Sequence, residues 1–115
     1  MGAAIINISS ICGMEQGSCT TVLPYSAAKA SVVTFTKALA KILAPTITVN
    51  AVCPGYVQTR FWDGTSKADE QSLIEETLIK RWIEPVDIAH AVLYLATADA
   101  ITGAIHVVDG GVTVK

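Results

Sequence analysis

The chain has 115 residues, of which 51% are apolar and 16% charged, with a net charge of −2. So much apolar side chain against so little charge excludes intrinsic disorder, and the length allows at most one domain. No basic excess marks a nucleic-acid binder, and no uninterrupted apolar stretch reaches the ~20 residues that span a bilayer. The apolar surplus is unusual for a small domain, which has much surface to cover. It implies a sheet buried on both faces, or surface hidden against something else. Cys12, Cys19 and Cys53 are odd in number and include no Cys-x-x-Cys pair. That pattern argues against a disulfide framework or a zinc site and for a reducing, cytoplasmic setting. The first residues lack the basic region and cleavage site of a signal peptide.

Ala3 to Ser9 is a near-continuous apolar run and reads as a strand buried on both faces. Ser10 to Pro24, rich in Gly, Ser, Thr and Cys, reads as a loop. Tyr25 to Leu43 reads as an amphipathic helix, with Ala28, Val32, Phe35, Leu39 and Ile42 at three- and four-residue spacing and Pro45 beyond its end. Ile47 to Cys53 is a second buried strand, stopped by Pro54-Gly55. Residues 56–84 differ in texture: charges concentrate there beside Phe61, Trp62 and Trp82, and a helix is expected around Asp69 to Lys80. Pro85 opens a further helix to about Ala98, apolar over much of its girth and so expected to be well buried. Ala104 to Val108 is a third strand, closed by Asp109-Gly110-Gly111. Strands alternating with helices predict an α/β fold with a parallel sheet.

Three features fall at one edge of such a sheet. Tyr25 and Lys29 lie one helical turn apart on one face. An ammonium beside a phenol favours the phenolate, so the pair can exchange protons near neutral pH. Ser9 and Ser10 follow a strand, at the carboxyl edge where open parallel sheets bind ligands. A hydroxyl there can polarise a carbonyl. Pro54-Gly55 ends the neighbouring strand at the same edge, with Thr59 four residues after Gly55. Each feature alone also fits a plain turn or a surface helix. Ser26-Ala27-Ala28-Lys29 matches the Ser-x-x-Lys of acyl-enzyme nucleophiles, but the companion Ser-Asp-Asn and Lys-Thr-Gly motifs are missing. His90 and His106 read as rim histidines, and no ligand cluster suggests a metal site.

Together, Asn7-Ile8-Ser9-Ser10-x-x-Gly13, Tyr25-Ser26-Ala27-Ala28-Lys29-Ala30, Val49-Asn50-Ala51-Val52-x-Pro54-Gly55-x-Val57-x-Thr59, Glu84-Pro85-x-Asp87-Ile88-Ala89, and Ile101-Thr102-Gly103 with Val108-Asp109-Gly110-Gly111 resemble the short-chain dehydrogenase/reductase family, in the family's order and over nearly the whole chain. The resemblance implies the C-terminal part of a Rossmann-like, doubly wound parallel sheet, with residues 1–115 forming one partial domain and residues 56–84 a substrate lid. It implies NAD(P)-dependent interconversion of an alcohol and a ketone or aldehyde. Ser10, the serine of Ser-x-x-Gly, would polarise the substrate carbonyl. Tyr25 would pass the proton, and Lys29 would favour the phenolate and hold the nicotinamide ribose. Pro54, Gly55, Val57 and Thr59 would contact the cofactor, and Phe61 and Trp62 the substrate. NAD and NADP are not distinguished. The parent is expected to be a homo-oligomer, a dimer or tetramer, without nucleic-acid or membrane partners.

Two departures stand out. Ser10 to Tyr25 spans 15 positions, two more than the family's usual spacing, which reads as a lengthened loop over Met14 to Leu23. The family's Gly-rich turn, which holds the cofactor pyrophosphate at a helix N-terminus, is not among these residues, nor is the family's catalytic asparagine. Asn50 is expected instead to bond backbone within the sheet. The competing expectation is a truncated, inactive fragment acting at most as an oligomerisation or interaction module.

Overall fold

A computed structural model describes every residue except 1, 16, 18 and 115. In chain order it contains β1 (Ala3–Ile8), α1 (Leu23–Leu43), β2 (Ile47–Pro54), α2 (Lys67–Glu76), α3 (Pro85–Thr97) and β3 (Ile105–Val108), with single 3-10 turns at Ile11–Gly13, Arg60–Trp62 and Val112–Val114. Residues 16 and 18 of the expected loop lie outside the described residues. The loop ends earlier than its composition suggests, because Pro24 sits in the first turn of α1, where a missing N–H costs nothing.

The sheet is parallel in the order β1-β2-β3. Ala3 pairs with Ile47 and Ala51 with Ile105. All three strands therefore end at one edge, where β1 runs into Ser9-Ser10, β2 into Gly55 and β3 into Asp109. Successive strand residues face opposite sides. Ile6 packs with Val52, Ala91 and Leu95, so α3 covers one face. Asn7 Nδ2 donates to Thr36 Oγ1 at 3.0 Å, so α1 covers the other. The architecture is the α/β, doubly wound arrangement expected.

β2 is buried from Val49 to Cys53, as its β-branched sequence predicts. β1 is not: it is half-buried, with exposed ends, because it is an edge strand covered by helices only along its middle. α3 also departs from expectation. Only Ala91 and Leu95 are buried, while Val86, Leu93 and Tyr94 are exposed. A single sheet face needs one stripe of a helix, whatever the rest of its surface is made of. In α1 the expected stripe is split, with Val32 and Leu39 half-buried and Ala28, Phe35 and Ile42 exposed. The face on the sheet carries Ser26, Val33, Thr36, Ala40 and Leu43, while Phe35 is 57% and Ile42 74% exposed. Small and hydroxyl side chains let the helix sit close to the strands. Gly103, at φ 74°, comes within reach of Ala40 there.

α2 begins two residues before the expected start and ends four before the expected end. Ser66 Oγ accepts from Asp69 N–H at 3.1 Å and caps it, and Asp69 and Glu70 face its positive end. Thr77 then turns inward and is buried, and Leu78 N–H donates to Gly110 C=O at 2.8 Å. That pairing draws residues 77–80 out of the helix.

Candidate active site

The edge where the strands end is built around α1's first turns. Ser9 Oγ donates to the Lys29 carbonyl at 2.7 Å, and Lys29 Nζ donates back to the Ile8 carbonyl at 3.2 Å. These two bonds fix the end of β1 to the first turns of α1. Gly13 completes the seam. A Cβ there would lie 2.5 Å from the Lys29 carbonyl carbon and 2.7 Å from Ala30 N. Only glycine lets the 3-10 turn approach the helix backbone so closely, which gives Ser-x-x-Gly its physical reason.

The two serines differ in use. Ser9 spends its proton on Lys29. Ser10 Oγ accepts from Cys12 N–H at 3.1 Å and caps the 3-10 turn. Tyr25 is 46% exposed, and Lys29 Nζ lies 5.8 Å from its ring centroid. Beneath them is Cys53 at the end of β2. Burial pushes its thiol pKa up, and the Ser9 hydroxyl, the Ser10 backbone and the Lys29 charge pull less strongly the other way. Ser26 Oγ exchanges hydrogen bonds with Cys19 N–H and C=O, both at 3.3 Å, so it anchors the loop.

The loop after β2 is held as a short strand. Gly55 N–H donates to Val108 C=O at 3.0 Å, and a Cβ on Gly55 would lie 2.7 Å from Asp109 Cβ. Val57 bridges Ile83 in parallel. Gln58 N–H reaches Ile83 C=O at 2.9 Å, and Ile83 N–H reaches Tyr56 C=O at 3.1 Å. In that pattern Val57 turns its own N–H and C=O to the other side. Its C=O accepts from Trp62 Nε1 at 3.0 Å. Thr59 Oγ1 accepts from Phe61 N–H at 3.3 Å, which leaves the Thr59 proton free to donate. Residues 56–84 thus present Val57 N–H and the Thr59 hydroxyl as donors, a set that suits carboxamide or phosphate oxygens.

The aromatics of residues 56–84 pack on one another. Trp62 stands 6.0 Å from Tyr56, 4.9 Å from Phe61 and 5.6 Å from Trp82, centroid to centroid. Trp62 is half-buried within this cluster, while Phe61 is 80% exposed. A groove of about 350 Å³ opens between Thr59, Trp62 and Trp82. Ser10, Tyr25 and Lys29 do not line it. Tyr56 hydroxyl donates to Glu76 Oε2 at 2.7 Å, and burial, followed by that carboxylate, pushes its pKa up to about 12.

Asn50 is fully buried and bonds backbone, as expected, at the approach to β3: its Nδ2 donates to Ile101 C=O and its Oδ1 accepts from Ala104 N–H, both at 2.9 Å. Two placements were not legible in the motifs. Asp109 is buried, with Oδ1 accepting from Gly111 N–H and Oδ2 from Thr113, and so fixes the turn on which Gly55 rests. Cys12 and Cys19 form a disulfide, contrary to the expectation from cysteine count. An odd total leaves a pair plus one buried free thiol, Cys53. Gly17 makes the pairing possible, since a Cβ on it would meet the Ile11 carbonyl oxygen where the loop folds back on itself. His90 and His106 are exposed, and no group of three His, Cys, Asp or Glu converges among the described residues.

Residues 1–113 match the family described as enoyl-(acyl carrier protein) reductase. The human 3-oxoacyl-[acyl-carrier-protein] reductase is 41% identical over 111 residues, which are 96% of this chain and 45% of that protein. The chain thus spans under half the length of that relative. The short-chain dehydrogenase/reductase homolog YusR of Bacillus subtilis is 37% identical over 110 residues, 96% of this chain and 83% of that one. A crystal structure from Agrobacterium tumefaciens, described as a candidate 2-deoxy-d-gluconate 3-dehydrogenase with bound NADP, superposes with a TM-score of 0.90. It is 34% identical over 99% of this chain and 48% of its own.

Proposed function

Since the chain belongs to the short-chain dehydrogenase/reductase family, we propose that it supplies the substrate and nicotinamide end of an NAD(P)-dependent oxidoreductase. The reaction interconverts an alcohol and a ketone or aldehyde. On this reading residues 1–115 are the C-terminal half of the cofactor-binding domain and residues 56–84 its lid. The observation that carries the reading is Lys29, whose ammonium is tied to the end of β1 and held 5.8 Å from the Tyr25 ring.

The roles follow from the donors available. Ser10 Oγ takes a hydrogen bond from Cys12 N–H, so its own proton is left to donate to a substrate carbonyl oxygen. Tyr25 gives that oxygen its proton in reduction and takes it back in oxidation. The phenolate left behind is stabilised by the Lys29 ammonium. Val57 N–H and the Thr59 hydroxyl hold the nicotinamide carboxamide or the adjoining phosphate. The cofactor, when bound, supplies or accepts the hydride. The NADP bound to the Agrobacterium neighbour supports a nicotinamide cofactor.

The exposed part of α1's apolar stripe favours a second element of the reading. Its exposed Phe35 and Ile42 suit a subunit interface, so the protein is a homo-oligomer, a dimer or tetramer. If the chain had no chemistry of its own, that interface would be its remaining role.

The test is oxidation of NADPH or NADH by the protein, purified at the length its gene encodes, with 3-oxoacyl thioesters, sugars, steroids and simple ketones. Carbonyl-dependent loss of reduced cofactor is the expected result. Its absence with every class would leave the interaction role standing and reject the enzyme.

A further inference from the structure

The disulfide joins the two halves of the candidate site, and the mechanism above makes no use of it. Cys12 lies two residues after Ser10, and its N–H holds the Ser10 hydroxyl. Cys19 receives and gives a hydrogen bond at Ser26, the neighbour of Tyr25. The bridge between them, with Cα atoms 5.1 Å apart, therefore links the Ser10 turn to the first turn of α1. It lies within the segment that separates Ser10 from Tyr25, where the chain is two residues longer than its family's usual spacing. Both cysteines are half-buried, so a small thiol can reach them. Cys53 is fully buried, and burial disfavours the thiolate that would attack, so it stays out of the exchange.

We propose that Cys12–Cys19 is a reversible thiol–disulfide site that sets how firmly the Ser10 turn is tied to the Tyr25 turn. Two molecules of a low-molecular-weight thiol, RSH, carry the reduction. The first, as thiolate, attacks one sulfur, breaks the Cys12–Cys19 bond and forms a mixed disulfide. The second attacks that mixed disulfide and releases RSSR. Two electrons and two protons end on Cys12 and Cys19 as thiols. In a reducing compartment the pair rests open, and oxidation closes it. The consequence for catalysis rests on the proposed function; the mechanical consequence does not.

Amide hydrogen exchange decides the question, measured on the protein treated with dithiothreitol or with an excess of oxidised glutathione, and on a Cys12→Ser/Cys19→Ser variant. Alkylation after unfolding identifies the state: one reactive thiol of the three in the oxidised form, all three in the reduced form. Reduction is expected to speed exchange at residues 19–26 about tenfold, with β2 unchanged, and the variant should exchange like the reduced form. Equal exchange in both states, or three reactive thiols after oxidation, overturns the proposal. Turnover followed on the same samples should fall on reduction with the cofactor KM unchanged. No turnover in either state would count against the proposed function alone, and the exchange comparison would still decide this one.

Discussion

Gly13 shows how one residue positions a site that it does not enter. Its Cα faces the backbone of Lys29 and Ala30 at a distance that leaves no room for a methyl group. Gly13→Ala should therefore push the 3-10 turn off α1 and carry Ser10 away from the Tyr25 turn. Overpacking of this kind costs about 1–3 kcal/mol. Chemical denaturation should read a loss of that size, with turnover falling further than stability alone explains. At the same scale, the spacing of Ser-x-x-Gly singled out Ser10 over Ser9, but not the bonds each makes. Ser9 is committed to the Lys29 carbonyl, while Ser10 only accepts, from Cys12 N–H. The Cys12–Cys19 pairing was hidden too, since it depends on the path of a loop rather than on a motif.

Elements were legible where one force dominates. β2 is rich in β-branched and apolar residues and is buried from Val49 to Cys53, and Pro85 starts a helix where its fixed φ puts it, whereas the Ser66 cap that starts α2 ahead of the expected Asp69 was not read. α1 was legible as an amphipathic helix, but the face it turns to the sheet, with Thr36 and Ala40, was not, because close approach needs small side chains more than greasy ones. The segment 56–84 was legible as a change of texture, and its packing around Trp62 was not. One of its ties makes a pH prediction. Tyr56 holds its proton against Glu76, with a folded pKa pushed up to about 12 from a usual ~10. A raised folded pKa favours the protonated form. The contribution is complete below pH ~10 and is lost as the pH rises from there to about 12. Thermal unfolding should show an alkaline loss of stability across that window in the protein, and a smaller loss in Tyr56→Phe.

At the scale of the molecule, the high apolar fraction has a location. The shared core of Val52, Ala91 and Leu95 is small, and the radius of gyration, 15.0 Å, exceeds the ~13 Å of a compact domain of this length. Much of the surplus lies on the outer face of α1 and on the uncovered side of α3. If α1 forms the proposed subunit interface, Phe35→Glu with Ile42→Glu should shift the protein to monomer, as read by analytical ultracentrifugation. An unchanged oligomer would place the interface elsewhere. No α-helix among the described residues is long and apolar enough to cross a membrane, so a bilayer-spanning helix does not account for this stripe.

The central claim is that Tyr25 carries the proton for a reaction at the carboxyl edge of this sheet. It is tested most directly by Tyr25→Phe in the protein at the length its gene encodes, with turnover and cofactor affinity measured together. A positioned acid–base group is worth about 10²–10⁴-fold, so turnover should fall by that factor while the cofactor Kd stays the same. Turnover that survives the loss of the hydroxyl would contradict the account.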